Sequence, residues 1–194
     1  MPSQRCPLVV FSKIFPGKDV GQLIEAAQAC GFEGYDLCLR SRFPINPQNV
    51  RQALPAACRT MRAAGLELPM ISGEGGLLSA EDPTAEPIMS AMDEADVRML
   101  KLGYFRFDPL KQDYWAEVER ARTMLAGWEP LARRFRVRIC YHVHAGMLAC
   151  NCATLLDLLQ GFDPAWLGAY IDPCHMLFEG ERFAHGAAIA RGHL

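Results

Sequence analysis

The 194-residue chain is 51% hydrophobic, which supplies enough apolar material for one substantial core and excludes a disordered protein. Twenty Lys and Arg against 22 Asp and Glu give a net charge of −2, so no basic stripe offers itself to a phosphate backbone and nucleic acid is not an expected partner. The leading segment MPSQRCPLVVFSKIFPGKD has too short an apolar run for a signal sequence, and no stretch approaches the roughly 20 residues of a membrane span; the expectation is a soluble, cytoplasmic protein without a membrane partner.

Short β-rich runs alternate with longer amphipathic stretches. LVVFSKIF (8–15) predicts a first strand and leads into DVGQLIEAAQACG (19–31), where Asp19 can cap a helix and Gly31 can end it. GYDLCLR (34–40) precedes the helical NVRQALPAACRTMRAAG (49–65), and LELPMIS (66–72) opens into a Gly/Ser/Asp/Pro-rich loop (72–87) and the helix TAEPIMSAMDEADV (84–97). Pro55 and Pro69 interrupt the second helix and the third strand. VRMLKLGYF (97–105) leads to DYWAEVERARTMLAGWEPLARRF (113–135), VRICYHVHAG (137–146) to CATLLDLLQG (152–161), and WLGAYID (166–172) to a weak final helix in ERFAHGAAIARG (181–192). Six strand–helix alternations predict repeated βαβ units, a mainly parallel sheet and one domain over residues 1–194.

Side chains alternate across a strand, so each strand divides by parity. Strand five places Val137, Ile139, Tyr141 and Val143 on one face and Arg138, Cys140, His142 and His144 on the other. Strand two opposes Tyr35, Leu37 and Leu39 to Asp36, Cys38 and Arg40; strand four opposes Leu100, Leu102 and Tyr104 to Met99, Lys101 and Gly103; strand six ends its polar set on Asp172. An open sheet covered on both faces would be apolar on both. A closed barrel would turn the polar set inward, toward the carboxyl rim where (β/α) barrels act.

The stretches FSKIFPGKDVGQLIEAAQACGFEGYDLCLR, KLGYF, YHVHAG and IDPCHMLFEG resemble the sugar phosphate isomerase/epimerase group of the xylose isomerase-like TIM barrels. The strand-end D-x-x-H of Asp172 and His175 is the strongest piece. The resemblance implies an α/β TIM-barrel fold, here with about six of the eight βα units, and a divalent metal ion (Mn, Zn, Fe, Co or Mg). It also implies proton transfer next to the carbonyl of a sugar, sugar phosphate or keto-sugar, with Asp172 as a metal ligand and His175 contacting metal or substrate. Where much of the family has a carboxylate on strand five, this chain has His142 and His144.

The candidate site is therefore Asp172 and His142 for metal, His175 and Lys101 for catalysis, and Lys13, Arg40, Glu74 and His144 for substrate. The eight cysteines contain no CxxC pair, and the C-x-C of Cys150 and Cys152 lacks the second close pair of a structural zinc site. An abasic-site endonuclease on the same superfamily fold would need a richer His/Glu/Asp set than these five histidines provide. The rival from another class is a catalytically inactive partial barrel that binds or forms homo-oligomers through open sheet edges.

Overall fold

The computed structural model describes residues 6–194; residues 1–5, the start of the leading segment, lie outside the described residues. Six strands, β1 (Val9–Phe11), β2 (Gly34–Cys38), β3 (Glu67–Ser72), β4 (Met99–Lys101), β5 (Arg138–His142) and β6 (Leu167–Tyr170), form one parallel sheet in the order β1-β2-β3-β4-β5-β6. A doubly wound sheet reverses its strand order midway. In the unbroken parallel order found here, crossovers of the usual right hand keep the helices on one face and leave the other as the interior of a partial barrel.

The helices are α1 (Val20–Cys30), α2 (Val50–Ala63), α3 (Ala85–Glu94), α4 (Tyr114–Ala126), α5 (Trp128–Phe135), α6 (Cys152–Leu159), α7 (Pro173–Phe178) and α8 (Phe183–Ala190). Their ends follow local chemistry. Asp19 and Gln22 close a capping box on α1, and Gly31, at φ 74°, ends that helix in the left-handed conformation. Asn151 and Thr154 do the same for the start of α6. The single helix expected over 113–135 is two, α4 and α5, meeting at Gly127.

Pro55 does not break α2; it is buried in its interior. Pro69 sits where the β2–β3 register shifts, since Gly34 pairs with Glu67 but Asp36 with Met70. One extra residue on β3 makes a bulge, which is where a residue without an N–H is tolerated in a sheet.

The parity expected from sequence holds within the strands. Tyr35, Leu37, Ile71, Leu100, Ile139, Tyr141 and Leu167 join the core under the helices, each fully or nearly fully buried. Each such aliphatic side chain contributes about 1.5–3 kcal/mol relative to exposure. Tyr35 Oη donates to the Leu23 carbonyl of α1 (2.7 Å), and Trp128 Nε1 to the Leu78 carbonyl (2.9 Å), so these large side chains bury their polar ends satisfied. The other face carries Asp36, Ser72, Lys101 and His142, the buried polar residues of the barrel interior.

Strands proved shorter than their apolar runs. Strand one ends at Phe11 and turns into a 3-10 segment, Ser12–Ile14, pinned by Cys38 N–H donating to Ser12 Oγ at 2.8 Å. Strand four is Met99–Lys101 alone. Just beyond it, Gly103 N–H donates to the Leu77 carbonyl and Tyr104 N–H to the Gly75 carbonyl. A Cβ on Gly103 would collide with that Gly75 carbonyl, so glycine is what lets the loop after β3 lie against the exit of β4.

Candidate functional site

At the carboxyl ends of the strands lies a cleft of about 400 Å³ lined by residues that include Lys13, Lys101, Tyr104, His142, His144, Tyr170, Asp172 and His175. Six of the eight candidates from sequence, all but Arg40 and Glu74, meet here. Register explains much of this: Cys38, Ser72, Lys101, Cys140 and Gly168 are successive lateral partners, and His142 pairs with Tyr170 one layer closer to the rim.

Asp172 divides its oxygens between two tasks. Oδ1 accepts from Cys174 N–H (2.8 Å) and His175 N–H (3.2 Å), capping α7, whose first residue is Pro173. Oδ2 lies 3.4 Å from His142 Nε2. The capping helix turn thereby swings His175 onto the same point, so that donor atoms of His142, Asp172 and His175 all lie within 4.8 Å of one another. Burial disfavours the charge of Asp172, but the N–H groups of His175 and Cys174 more than offset it and hold the carboxyl below its ordinary range.

His142 is buried against Tyr170, their rings stacked at 4.4 Å, while the His144 ring lies 3.8 Å from that of His175. Burial and the neighbouring Lys101 push His142 down to about 3, and burial with His144 lowers His175, so both imidazoles are neutral at physiological pH. His142 Nε2 and His175 Nδ1 are buried without a hydrogen-bond partner. Two neutral imidazoles, each with a buried nitrogen that makes no hydrogen bond, and one carboxylate whose Oδ2 is free of the cap are a donor set suited to a borderline divalent ion.

On the other side of His142 runs a polar chain. Lys101 Nζ donates to Tyr104 Oη at 2.7 Å, and Tyr104 Oη lies 3.1 Å from His142 Nδ1. Lys101 is 2% exposed. Burial first, then the charge of Arg40, lowers it to about 7, partly countered by Asp36. Asp36 is raised to about 7 by burial, against the stabilising Ser72 hydroxyl, which donates to its Oδ2 at 2.8 Å.

Glu74 is not brought to this cleft. Its Oε1 accepts from Ser41 N–H and Oγ, and it lines a separate depression with Pro47, Gln48 and Thr84. The loop it belongs to is stitched to β4 by backbone bonds, which carries the carboxylate sideways toward the β2–α2 connection. Arg40 does not line the cleft; it reaches its edge, with Cζ 5.6 Å from the ring of the lining residue Phe11.

Tyr104 is the residue that parity misplaced, with the apolar set of strand four. The strand ends at Lys101, so alternation no longer governs the side chain three residues on. The Gly103 that breaks the run was the available signal. Among the described residues Cys150 and Cys152 are free thiols and no part of the metal-ligating cluster.

Comparison with known proteins agrees with this geometry. Residues 24–193 match the family described as xylose isomerase-like TIM barrel. No curated protein matches the chain by sequence. Among solved structures, the 3-keto-D-glucoside 4-epimerase YcjR from E. coli superposes with a TM-score of 0.76 at 13% identity, covering 98% of this chain and 77% of that one. A probable 3-DHS dehydratase, AsbF from Bacillus anthracis, gives 0.74 at 17%, covering 97% and 71%. A D-psicose 3-epimerase gives 0.67 at 14%, covering 95% and 70%. The family match spans most of the sequence and the cleft lies where such barrels carry their chemistry: the chain belongs to the xylose isomerase-like TIM barrel family.

Proposed function

We propose that the protein is a metal-dependent isomerase or epimerase that moves a proton next to the carbonyl of a sugar, sugar phosphate or keto-sugar. One observation carries the reading: one ligand atom each of His142, Asp172 and His175 lies within 4.8 Å of the others at the carboxyl rim, and each of the two imidazoles has a buried nitrogen without a hydrogen-bond partner. These three residues would hold a divalent ion, and the two imidazoles favour Mn, Zn, Fe or Co over Mg. A bound ion would supply Lewis acidity toward a substrate oxygen.

The protein's own groups supply the rest. Lys101, near pH 7 in its proton affinity and facing the cleft, is matched to taking and returning a proton under physiological conditions. Tyr104 fixes the Lys101 ammonium and the His142 ring in one hydrogen-bonded chain. His144 lines the cleft with its Nδ1 2.9 Å from the Ala145 carbonyl, which leaves its other nitrogen for a substrate hydroxyl.

A second reading, a barrel that binds or assembles without turnover, draws on the sheet edges. β1 and β6 each have one unpaired side. Exposed apolar side chains flank these strands in sequence: Leu8 and Ile14 around β1, and Leu177, Phe178, Phe183 and Ile189 after β6.

The deciding experiment incubates the protein with ketohexoses and their phosphates in D2O with Mn²⁺, Co²⁺ or Zn²⁺ and weighs the recovered sugar by mass spectrometry. Metal-stimulated gain of one deuterium beside the carbonyl supports the epimerase. Metal bound at one ion per chain with no exchange on any sugar overturns it in favour of the second reading.

A further inference from the structure

Three cations stand on the β1, β2 and β4 side of the cleft. Lys101 projects from the end of β4, in lateral register with Ser72 and, through it, Cys38. Arg40 follows two residues after Cys38, half-buried, with its Nε buried and unpartnered. Lys13 sits at the rim on the 3-10 turn that Ser12 anchors to β2.

Among the described residues, none of the three forms an ion pair. The nearby acids form hydrogen bonds to other groups: Glu74 to Ser41, Asp36 through its Oδ2 to Ser72, and Asp172 to the cap of α7, with His142 beside it. Arg40 and Lys13 both act to depress Lys101, like charges held together that Asp36 counters only in part. Lys101 and the Arg40 Nε are buried, and such a group is costly unless an anion joins it.

We propose that the substrate carries an oxyanion group, a carboxylate or a phosphate, seated at Lys13 and Arg40 on the rim, with its reacting carbons turned toward Lys101, His142, Asp172 and His175. The inference rests on the epimerase reading and narrows its substrate from sugars in general to anionic ones. A cleft of about 400 Å³ admits a monosaccharide with one such group.

Calorimetric titration of the full chain with D-fructose 6-phosphate, a hexuronate, inorganic phosphate and D-fructose tests it. The parent binds one of the two anionic sugars at least tenfold more tightly than fructose, and inorganic phosphate competes with that sugar. Raising the salt weakens the anionic ligand alone. Lys13→Gln and Arg40→Gln, at the rim and checked for folding by circular dichroism, each weaken it five- to tenfold and leave fructose unchanged. Preference between the phosphorylated sugar and the hexuronate identifies the oxyanion.

Equal affinity for charged and neutral sugars, or no millimolar binding of any anionic probe, overturns the proposal. The two readings fail separately. Anion discrimination that survives in Asp172→Asn, without deuterium exchange in the parent, sinks the epimerase and keeps the oxyanion subsite. Exchange on neutral ketoses without discrimination does the reverse.

Discussion

Lys101 Nζ and Tyr104 Oη stand 2.7 Å apart, and through that one hydroxyl the buried lysine is joined to the imidazole of His142, 3.1 Å away. Tyr104→Phe removes the junction without changing the shape of the site. The ammonium loses an acceptor, so the lysine becomes still easier to deprotonate. We expect deuterium exchange to fall by about 10²-fold, and the lysine-dependent limb of the pH–rate profile to move to lower pH. An unchanged profile would mean that Tyr104 only packs.

The divided carboxylate of Asp172 predicts two separable losses. Asn is as good an N-cap as Asp, so Asp172→Asn keeps the start of α7 while removing the charge offered to a metal. Bound Mn²⁺ or Zn²⁺, measured by elemental mass spectrometry, drops at least tenfold with the melting temperature held. Asp172→Ala loses the same metal and about 1 kcal/mol of stability as well. Equal metal content in parent and Asn variant would show the oxygen at 3.4 Å from His142 to be structural only.

Asp36 and Lys101 give stability an unusual pH dependence. Asp36 is raised from 3.8 to about 7, so the native state binds the extra proton between these values and stability falls as pH rises through them. Lys101 is lowered from 10.5 to about 7, so above pH 7 the unfolded state binds the extra proton and stability rises again. Urea unfolding should show a minimum near neutrality. Asp36→Asn should gain on the parent progressively from pH 4 to 7 and hold that gain above; a constant difference would remove Asp36 as its source.

Thiol chemistry offers a check on the fold that is independent of function. Cys6, Cys30 and Cys174 are exposed, Cys150 is half-buried, and Cys38, Cys58, Cys140 and Cys152 are buried. Iodoacetamide followed by peptide mapping should modify the first three fast, Cys150 slowly, and the last four only with urea. Early labelling of Cys140 would contradict its place inside the barrel.

Much of the architecture was legible because it rests on period and punctuation. The alternation of Val137, Ile139 and Tyr141 with Arg138, Cys140 and His142 reports two faces of β5 directly, and Asp19 with Gly31 brackets α1. Asp172, His142 and His175 could be read because strand ends and a strand-end motif place them. Glu74 and Tyr104 could not, since both lie beyond the strands, where loop hydrogen bonds rather than alternation set direction. The helix α7 hid inside the D-x-x-H motif for a related reason: its cap is also its ligand candidate.

The close passage of Gly103 beneath Gly75 reaches beyond local packing. It ties the Gly-rich segment after β3 to the short span from Lys101 to Tyr104, so the two ends of the lysine–tyrosine link are set from outside the cleft. A residue inserted near Gly75 would retune the acid–base chain through the backbone bonds that this loop makes to Lys101 and Tyr104, making that turn the adjusting screw of the site.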